Sequence, residues 1–344
     1  MKSRQSRNRR IPYPVSAALL LASVSMPASA ITWDNSNATG TWSTAANWDS
    51  NTEPTAADDV VFPSGLAGTI TLSTGENAKS LQFDDAYTLS AGGLTLATAS
   101  TINVADGITA AINTPLTLTG GSTKTGDGTL VLGASNVNST GIAINGGRLR
   151  MTHASALGVA GATVNAGAIL EVSGTISTNT PISLKNNGTV SGIGTPTSNG
   201  TLTIDPLADA VTLATDALSD LLTLSTAAND LTGGAASTVI NIGGSGTVRL
   251  NTGSNFAGSW NIPTGRLEIA NATALGTGAT SVTLSGGTLS ARTAAAVAFS
   301  GPGANLLLTA DSSILSDRTT ATVGVINTFG TLSMGSQTLT VAPG

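Results

Sequence analysis

The chain has 344 residues, no cysteine, 14 basic and 19 acidic side chains, 41 glycines and only 3% aromatic residues. The missing thiols exclude disulfide staples, thiolate zinc and a cysteine nucleophile, and the scattered basic residues exclude the clustered cationic face that nucleic acid needs. Bulky residues are too few for an ordinary globular core, while a charged fraction of 10% and recurring Val, Ile and Leu pairs argue against disorder.

Residues 1–30 read as a secretory signal peptide. Lys2, Arg4, Arg7, Arg9 and Arg10 precede an apolar run from Val15 to Met26, and Ala28-Ser29-Ala30 supplies the small residues that signal peptidase requires, placing cleavage after Ala30. The run is too short to span a bilayer, which takes ~20 residues. Five of the 14 basic residues leave with this leader, so nine remain against 19 acidic ones, a formal −10 that suits an exported, soluble surface.

Residues 31–59 hold three of the four tryptophans, Trp33, Trp42 and Trp48, and differ in texture from the rest of the chain. A stack of strands needs its open apolar end and unpaired edge covered, so this segment is expected to be an N-terminal cap. The alternative is a stacking platform for sugar rings.

From residue 60 to 344 the chain reads as short strands bounded by Gly, Asn, Asp or Pro, beginning with VVF, TITLS, SLQF, YTLS, LTLAT and TINV. Residues 205–224 fit two readings. Leu207, Val211, Leu218 and Leu222 share a helical face, yet VTLAT and LLTL also read as strands.

The strongest pattern is a repeated block. GTLVLGASN from Gly128 to Asn136 returns as GTVRLNTGSN from Gly246 to Asn255, and GGRLRMTHASALG from Gly146 to Gly158 returns as TGRLEIANATALG from Thr264 to Gly276. The spacing is 118 residues at Gly128/Gly246, Leu149/Leu267 and Gly158/Gly276, with a one-residue shift expected between the halves. Apolar residues alternate with polar ones at Leu130 and Leu132, Ile142 and Ile144, and Leu149 and Met151, the period of a strand with one buried face. Stacked short strands of this kind make a solenoid.

The succession Gly-Thr-Leu-x-Leu-x-Gly-x-Asn, Gly-Gly-x-Leu and Ala-x-Ala-Leu-Gly resembles the passenger-associated transport repeat, the autotransporter-associated β-strand repeat of bacterial surface proteins. Gly128, Thr129, Leu130, Leu132, Asn136, Gly147, Leu149, Ala154, Ala156, Leu157 and Gly158 carry the likeness. The second block departs from it at Val248, Trp260 and Pro263. The resemblance implies a right-handed parallel β-helix displayed at the cell surface or released. At roughly 20 residues per rung the exported chain makes on the order of 15 rungs, and at about 4.8 Å each a rod ~70 Å long. Such proteins end in a membrane β-barrel with alternating strands and aromatic girdles. No stretch here has that pattern, and the final GTLSMGSQTLTVAPG reads as an unfinished rung, so truncation, release or a separate barrel are the expectations.

Catalytic chemistry is thinly represented, and neither catalytic, cofactor nor metal residues are assigned. His153 is the one histidine and falls where the second block has Asn271, which points to a polar turn residue. Asp58-Asp59 and Asp84-Asp85 are sequential, and neighbours on a strand point to opposite faces. Asp127 in TGDGTL is a lone echo of the calcium-binding nonapeptide, which works only in tandem. Asn138-Ser139-Thr140 and Asn271-Ala272-Thr273 are glycosylation triplets of the kind an Asn- and Thr-rich chain contains by chance. Arg148, Arg150, Arg249 and Arg266 alternate with core positions, a solvated-face pattern.

The expected function is therefore that of an exported structural or adhesive rod without catalytic activity, meeting glycan, matrix or other cell-surface components. The alternative is a secreted β-helix polysaccharide lyase or hydrolase, which would show a groove where acids and Arg or Lys from several rungs converge. A cargo whose rod merely aids export would look the same in sequence.

Overall fold

The computed structural model describes residues 30–277, 281–299, 305–319 and 324–344. The signal-peptide expectation falls on residues 1–29, outside the described residues. The chain winds as a parallel β-solenoid whose coils carry up to three short strands, each pairing with strands one coil earlier and one coil later. The first face is an 11-stranded sheet running from Ala30–Thr32 to Asn255–Phe256. The second face is a 13-stranded sheet from Gly68–Thr71 to Leu332–Ser333. Thirteen levels at about 4.8 Å make that face ~60 Å long. The stack is thus shorter than a uniform period gives, because some coils are longer: Leu130 pairs with Leu149, 19 residues on, but Leu213 pairs with Ile242, 29 residues on.

Alternation explains the core. Each strand turns every second side chain inward, and in-register parallel pairing then stacks like on like: Leu130, Leu149, Leu170, Val190, Leu213 and Ile242 form one buried column on the second face. Burying each such side chain stabilises by about 1.5–3 kcal/mol, and the column replaces the single globular core that the composition excludes. Glycine sets the corners. Gly126 has φ +73°, and a Cβ there would stand 2.2 Å from the carbonyl oxygen of Val104 in the coil below.

Residues 205–224 resolve as the strands Ala210–Thr215 and Leu221–Leu224, and Leu207 and Leu218 lie exposed. The helical reading fails because only Val211 and Leu222 of its stripe reach the core, each from its own strand.

The repeated blocks are equivalent along their whole length at a constant offset of 118, without the expected shift. Asn136, Val137 and Asn138 are buried, exposed and buried, and so are Ser254, Asn255 and Phe256. Asn255 therefore takes the place of Val137, and the counterpart of Asn136 is Ser254. The blocks nevertheless stand on different faces. In the first, Thr129–Leu132 pairs with Arg148–Met151 on the second face; in the second, Thr247–Leu250 pairs with Arg266–Ile269 on a third face, whose strands run from Glu76–Ala78 to Leu339–Pro343. Five further second-face strands follow Thr129–Leu132 before the chain turns into Thr247–Leu250, so the spacing is five coils and one face.

In both blocks the Ala-x-Ala-Leu-Gly turn takes the place of a strand. Residues 152–161 leave the third face without a strand in that coil, dividing it into a 4-stranded sheet ending at Val137–Asn138 and an 8-stranded sheet starting at Ser177–Thr178. Residues 270–277 do the same to the first face, beyond which lies a 2-stranded sheet of Val297–Ala298 and Asn327–Thr328. Ala156 and Leu157, like Ala274 and Leu275, fill the core where strand residues would otherwise point.

Trp33, Trp42 and Trp48 are buried against the first coil. Trp48 meets Trp33 and Trp42 edge-on at 5.0 and 4.9 Å, and Phe62 continues the column to Phe83 at 4.9 Å. With their faces covered, these rings offer no platform for sugars.

Candidate functional site

The residues singled out from sequence do not gather. His153 Nδ1 accepts a hydrogen bond from the Ser155 N–H at 3.1 Å, and Asn271 Oδ1 accepts the equivalent bond from Thr273 at 2.9 Å. The imidazole thus closes the turn as an asparagine would. Asp58 accepts from the Thr55 N–H and hydroxyl, while Asp59 pairs with Lys79 at 2.8 Å. Desolvation pushes the Asp59 carboxyl up, but hydrogen bonds from Lys79 and Ser80 together with the Lys79 charge outweigh it and hold it below its ordinary value. Asp84 takes the Gln82 amide, and Asp85 takes the N–H groups of Gly65 and Ala86, which lower its pKa. Asn138 is buried, giving Nδ2 to the Leu157 carbonyl at 3.2 Å and taking the Gly141 N–H at 2.9 Å on Oδ1. Each is engaged by its own turn or by the neighbouring coil.

The arginines behave differently from the solvated face expected of them. On the second face Glu171 projects outward yet is fully covered, because Arg148 and Arg150 from the previous coil fold over it in ion pairs. On the third face a larger assembly forms from four consecutive strands. Arg249 Nε lies 2.5 Å from Glu268 Oε1, Arg266 Nη2 lies 3.3 Å from Glu268 Oε2, and Arg292 Nη1 approaches Oε1 at 3.6 Å. Arg292 Nε is also 3.4 Å from Asp317 Oδ2, without the geometry of a hydrogen bond. Parallel register explains the convergence: Arg249, Glu268 and Ser290 are direct cross-strand partners, as are Arg292 with Asp317 and Thr293 with Arg318.

This third-face assembly is the candidate functional site. Arg249, Arg266 and Arg292 bring three guanidinium groups against the two carboxylates of Glu268 and Asp317, a locally cationic surface on an acidic chain, whereas Arg318 stands opposite the buried Thr293, on the other side of its strand. Beside it runs a cleft of about 570 Å³, lined by Arg266, by the glycine corners Gly244, Gly265 and Gly286, and by Leu218 and Leu315. Among the described residues, no three His, Asp or Glu side chains gather as a metal site requires.

A curated relative, the adhesin BmaC autotransporter of Brucella suis biovar 1 (strain 1330), is 41% identical over 107 residues, which is 30% of this chain and 3% of that protein. The chain thus spans a small fraction of the relative it matches. No family model matches the chain. No solved structure matches it.

Sequence reasoning named Arg249 and Arg266 but missed Glu171, Glu268, Arg292 and Asp317. The available signal was the outward phase that Arg249 and Glu268 share with Arg150 and Glu171; what hid it was the coil length, since partners lie 19 and 21 residues apart in the two ladders.

Proposed function

We propose that this chain is an adhesive, passenger-like module, exported through its leader and presented at the cell surface or released, where it holds on to other surfaces and catalyses no reaction. The observation that carries the reading is the 41% identity to part of an autotransporter adhesin, in a chain that folds as a parallel solenoid. A solenoid suits adhesion, because rigid coils stacked on one another give an extended outer face with regularly spaced side chains. In this reading the Gly-Thr-Leu to Ala-Leu-Gly blocks belong with passenger repeats, and the tryptophan segment closes the first coil.

The test is display of residues 31–344 on a non-adherent bacterium through a fused outer-membrane barrel, followed by counting of cells retained on epithelial monolayers and on matrix-coated wells. Retention above an empty-barrel control is expected; retention equal to it rejects the reading.

A second reading, a lyase or hydrolase of polysaccharide, is favoured by the convergence of carboxylates and guanidinium groups from successive coils on the third face. Against it, Glu268 is buried and ion-paired to three arginines, which leaves it poorly placed for acid–base work. Loss of viscosity of an acidic polysaccharide under the purified chain would favour the enzyme.

A further inference from the structure

We propose that the arginine ladder of the third face is a binding site for the anionic groups of an acidic polysaccharide, the carboxylates or sulfates borne along its chain. The inference rests on the adhesive reading and names the class of partner.

Two donors of this ladder go unmet. Arg266 Nε and Arg292 Nε are buried and have no hydrogen-bond partner among the described residues. Both stand on the outward side of the same face, on the successive strands Arg266–Ile269 and Thr288–Thr293. Buried guanidinium donors without acceptors are unfavourable, and here they are concentrated rather than scattered. The acceptors present are too few: Glu268 is shared among three arginines, and Asp317 serves Arg292. An incoming oxyanion supplies both the missing charge and the missing lone pairs, and the planar fork of arginine matches carboxylate and sulfate oxygens.

The surroundings fit a polymer better than a free ion. Arg266 lies in an outward row with Thr247, Thr288 and Ser313, whose hydroxyls can bond sugar hydroxyls. The adjoining cleft of about 570 Å³ adds the aliphatic side chains of Leu218 and Leu315, suited to the C–H face of a pyranose ring. Coils repeat at about 4.8 Å along the rod, so Arg249, Arg266 and Arg292, on successive coils and staggered by two to four residues in register, spread charge along the rod, which matches an extended chain bearing anionic groups at intervals. The second face differs. There Arg148 and Arg150 both pair with the buried Glu171, and neither leaves a buried donor unpaired.

The test uses the chain from residue 31 onward, with binding followed by isothermal titration at low and high salt. Polygalacturonate supplies carboxylates, dextran sulfate supplies sulfates, and uncharged dextran is the control. Binding to one or both anionic polymers, weakening with salt, is expected, and the stronger arm identifies the anion. Arg266→Gln and Arg292→Gln should each lose about tenfold or more in affinity, and Arg148→Gln on the second face should lose nothing. Arg266→Lys, which keeps the charge but loses the planar fork and should also weaken binding, keeps the test usable should the glutamine variants unfold. Absence of binding to both anionic polymers, equal binding to dextran, or full affinity in the third-face variants would overturn the site. The two readings fail separately: display-dependent adhesion without polymer binding removes this site and leaves the adhesin, whereas polymer binding without adhesion does the reverse.

Discussion

The indole Nε1 of Trp260 donates a hydrogen bond to the carbonyl oxygen of Leu275 at 2.9 Å, in the second block. In the first block the same carbonyl, that of Leu157, is served by Asn138 Nδ2 at 3.2 Å. At the constant offset, Asn138 corresponds to Phe256 and Ile142 to Trp260. Where the first block has an asparagine donor the second has a phenylalanine, and its donor sits four residues further along the chain; Phe256 and Trp260 meet edge-on at 5.5 Å. The Ala-Leu-Gly turn cannot leave this carbonyl unpaired in the core, because a buried polar group without a partner costs about 1–3 kcal/mol.

It follows that Trp260→Phe should destabilise the second block by about 1–3 kcal/mol through the orphaned carbonyl, over and above lost packing. Asn138→Phe alone should be at least as damaging in the first block. The double variant Asn138→Phe/Ile142→Trp, which transplants the second block's solution, should recover most of that loss. Urea unfolding midpoints of the three variants decide it; a double variant no better than Asn138→Phe would show that the two arrangements are not interchangeable.

The legibility of these features in the sequence divides along a physical line. Whatever depends on neighbours in the chain was readable: the alternation at Leu130 and Leu132 reports one buried face, and the exchange of His153 for Asn271 reports a turn whose only demand is a local acceptor. Whatever depends on coil length was not. Gly128 and Gly246 look alike in sequence but precede strands on different faces, because the intervening coils vary in length. The same variation hid the pairing of Glu268 with Arg249 and Arg292. Around Leu218 the sequence leaves both helix and strand open, since apolar residues at helical spacing imply a helix only when something covers them.

Lys124 gives a pH signature. Its side chain points into the core, where Nζ donates to the carbonyl oxygens of Gly126 and Gly128 at 2.6 Å each and of Gly146 at 3.0 Å. Desolvation pushes its pKa down from 10.5 to about 8, against a smaller upward pull from Asp127. Between those values the unfolded chain holds a proton that the folded one has released, so raising the pH favours the fold. Stability should rise from pH 8 towards 10.5 relative to a Lys124→Met variant, in which this increment is absent. Parallel pH profiles of the two unfolding midpoints would refute the assignment.

Glu53 works in the other direction. A hydrogen bond with the Glu76 carboxyl, then partial burial, then the Glu76 charge push its pKa up from 4.5 to about 7. Here the folded chain keeps a proton that the unfolded chain has lost, so stability should fall as pH rises from 4.5 through 7. Glu53→Gln retains a neutral hydrogen-bonding group and should flatten that fall. Amide exchange of residues 50–58 at several pH values gives the local readout; an unchanged pH profile in the variant counts against a shared proton.

The Glu171 ladder predicts an asymmetry between its partners. Glu171 is fully buried, whereas the side chains of Arg148 and Arg150 are 28% and 35% exposed. If the carboxylate is neutralised by Glu171→Gln, each guanidinium can swing into water and recover hydration, and the loss should stay near ~1 kcal/mol, as for a partly exposed pair. If instead both arginines are replaced, in Arg148→Leu/Arg150→Leu, a carboxylate remains in the covered site with no counter-charge. Breaking a buried pair from that side typically costs about 3–5 kcal/mol. The triple variant that also carries Glu171→Leu should then recover much of the loss, because an apolar ladder has no charge to desolvate. Denaturation midpoints of the single, double and triple variants would settle the order, and a double variant as stable as Glu171→Gln would mean that the coil opens enough to let water reach the acid.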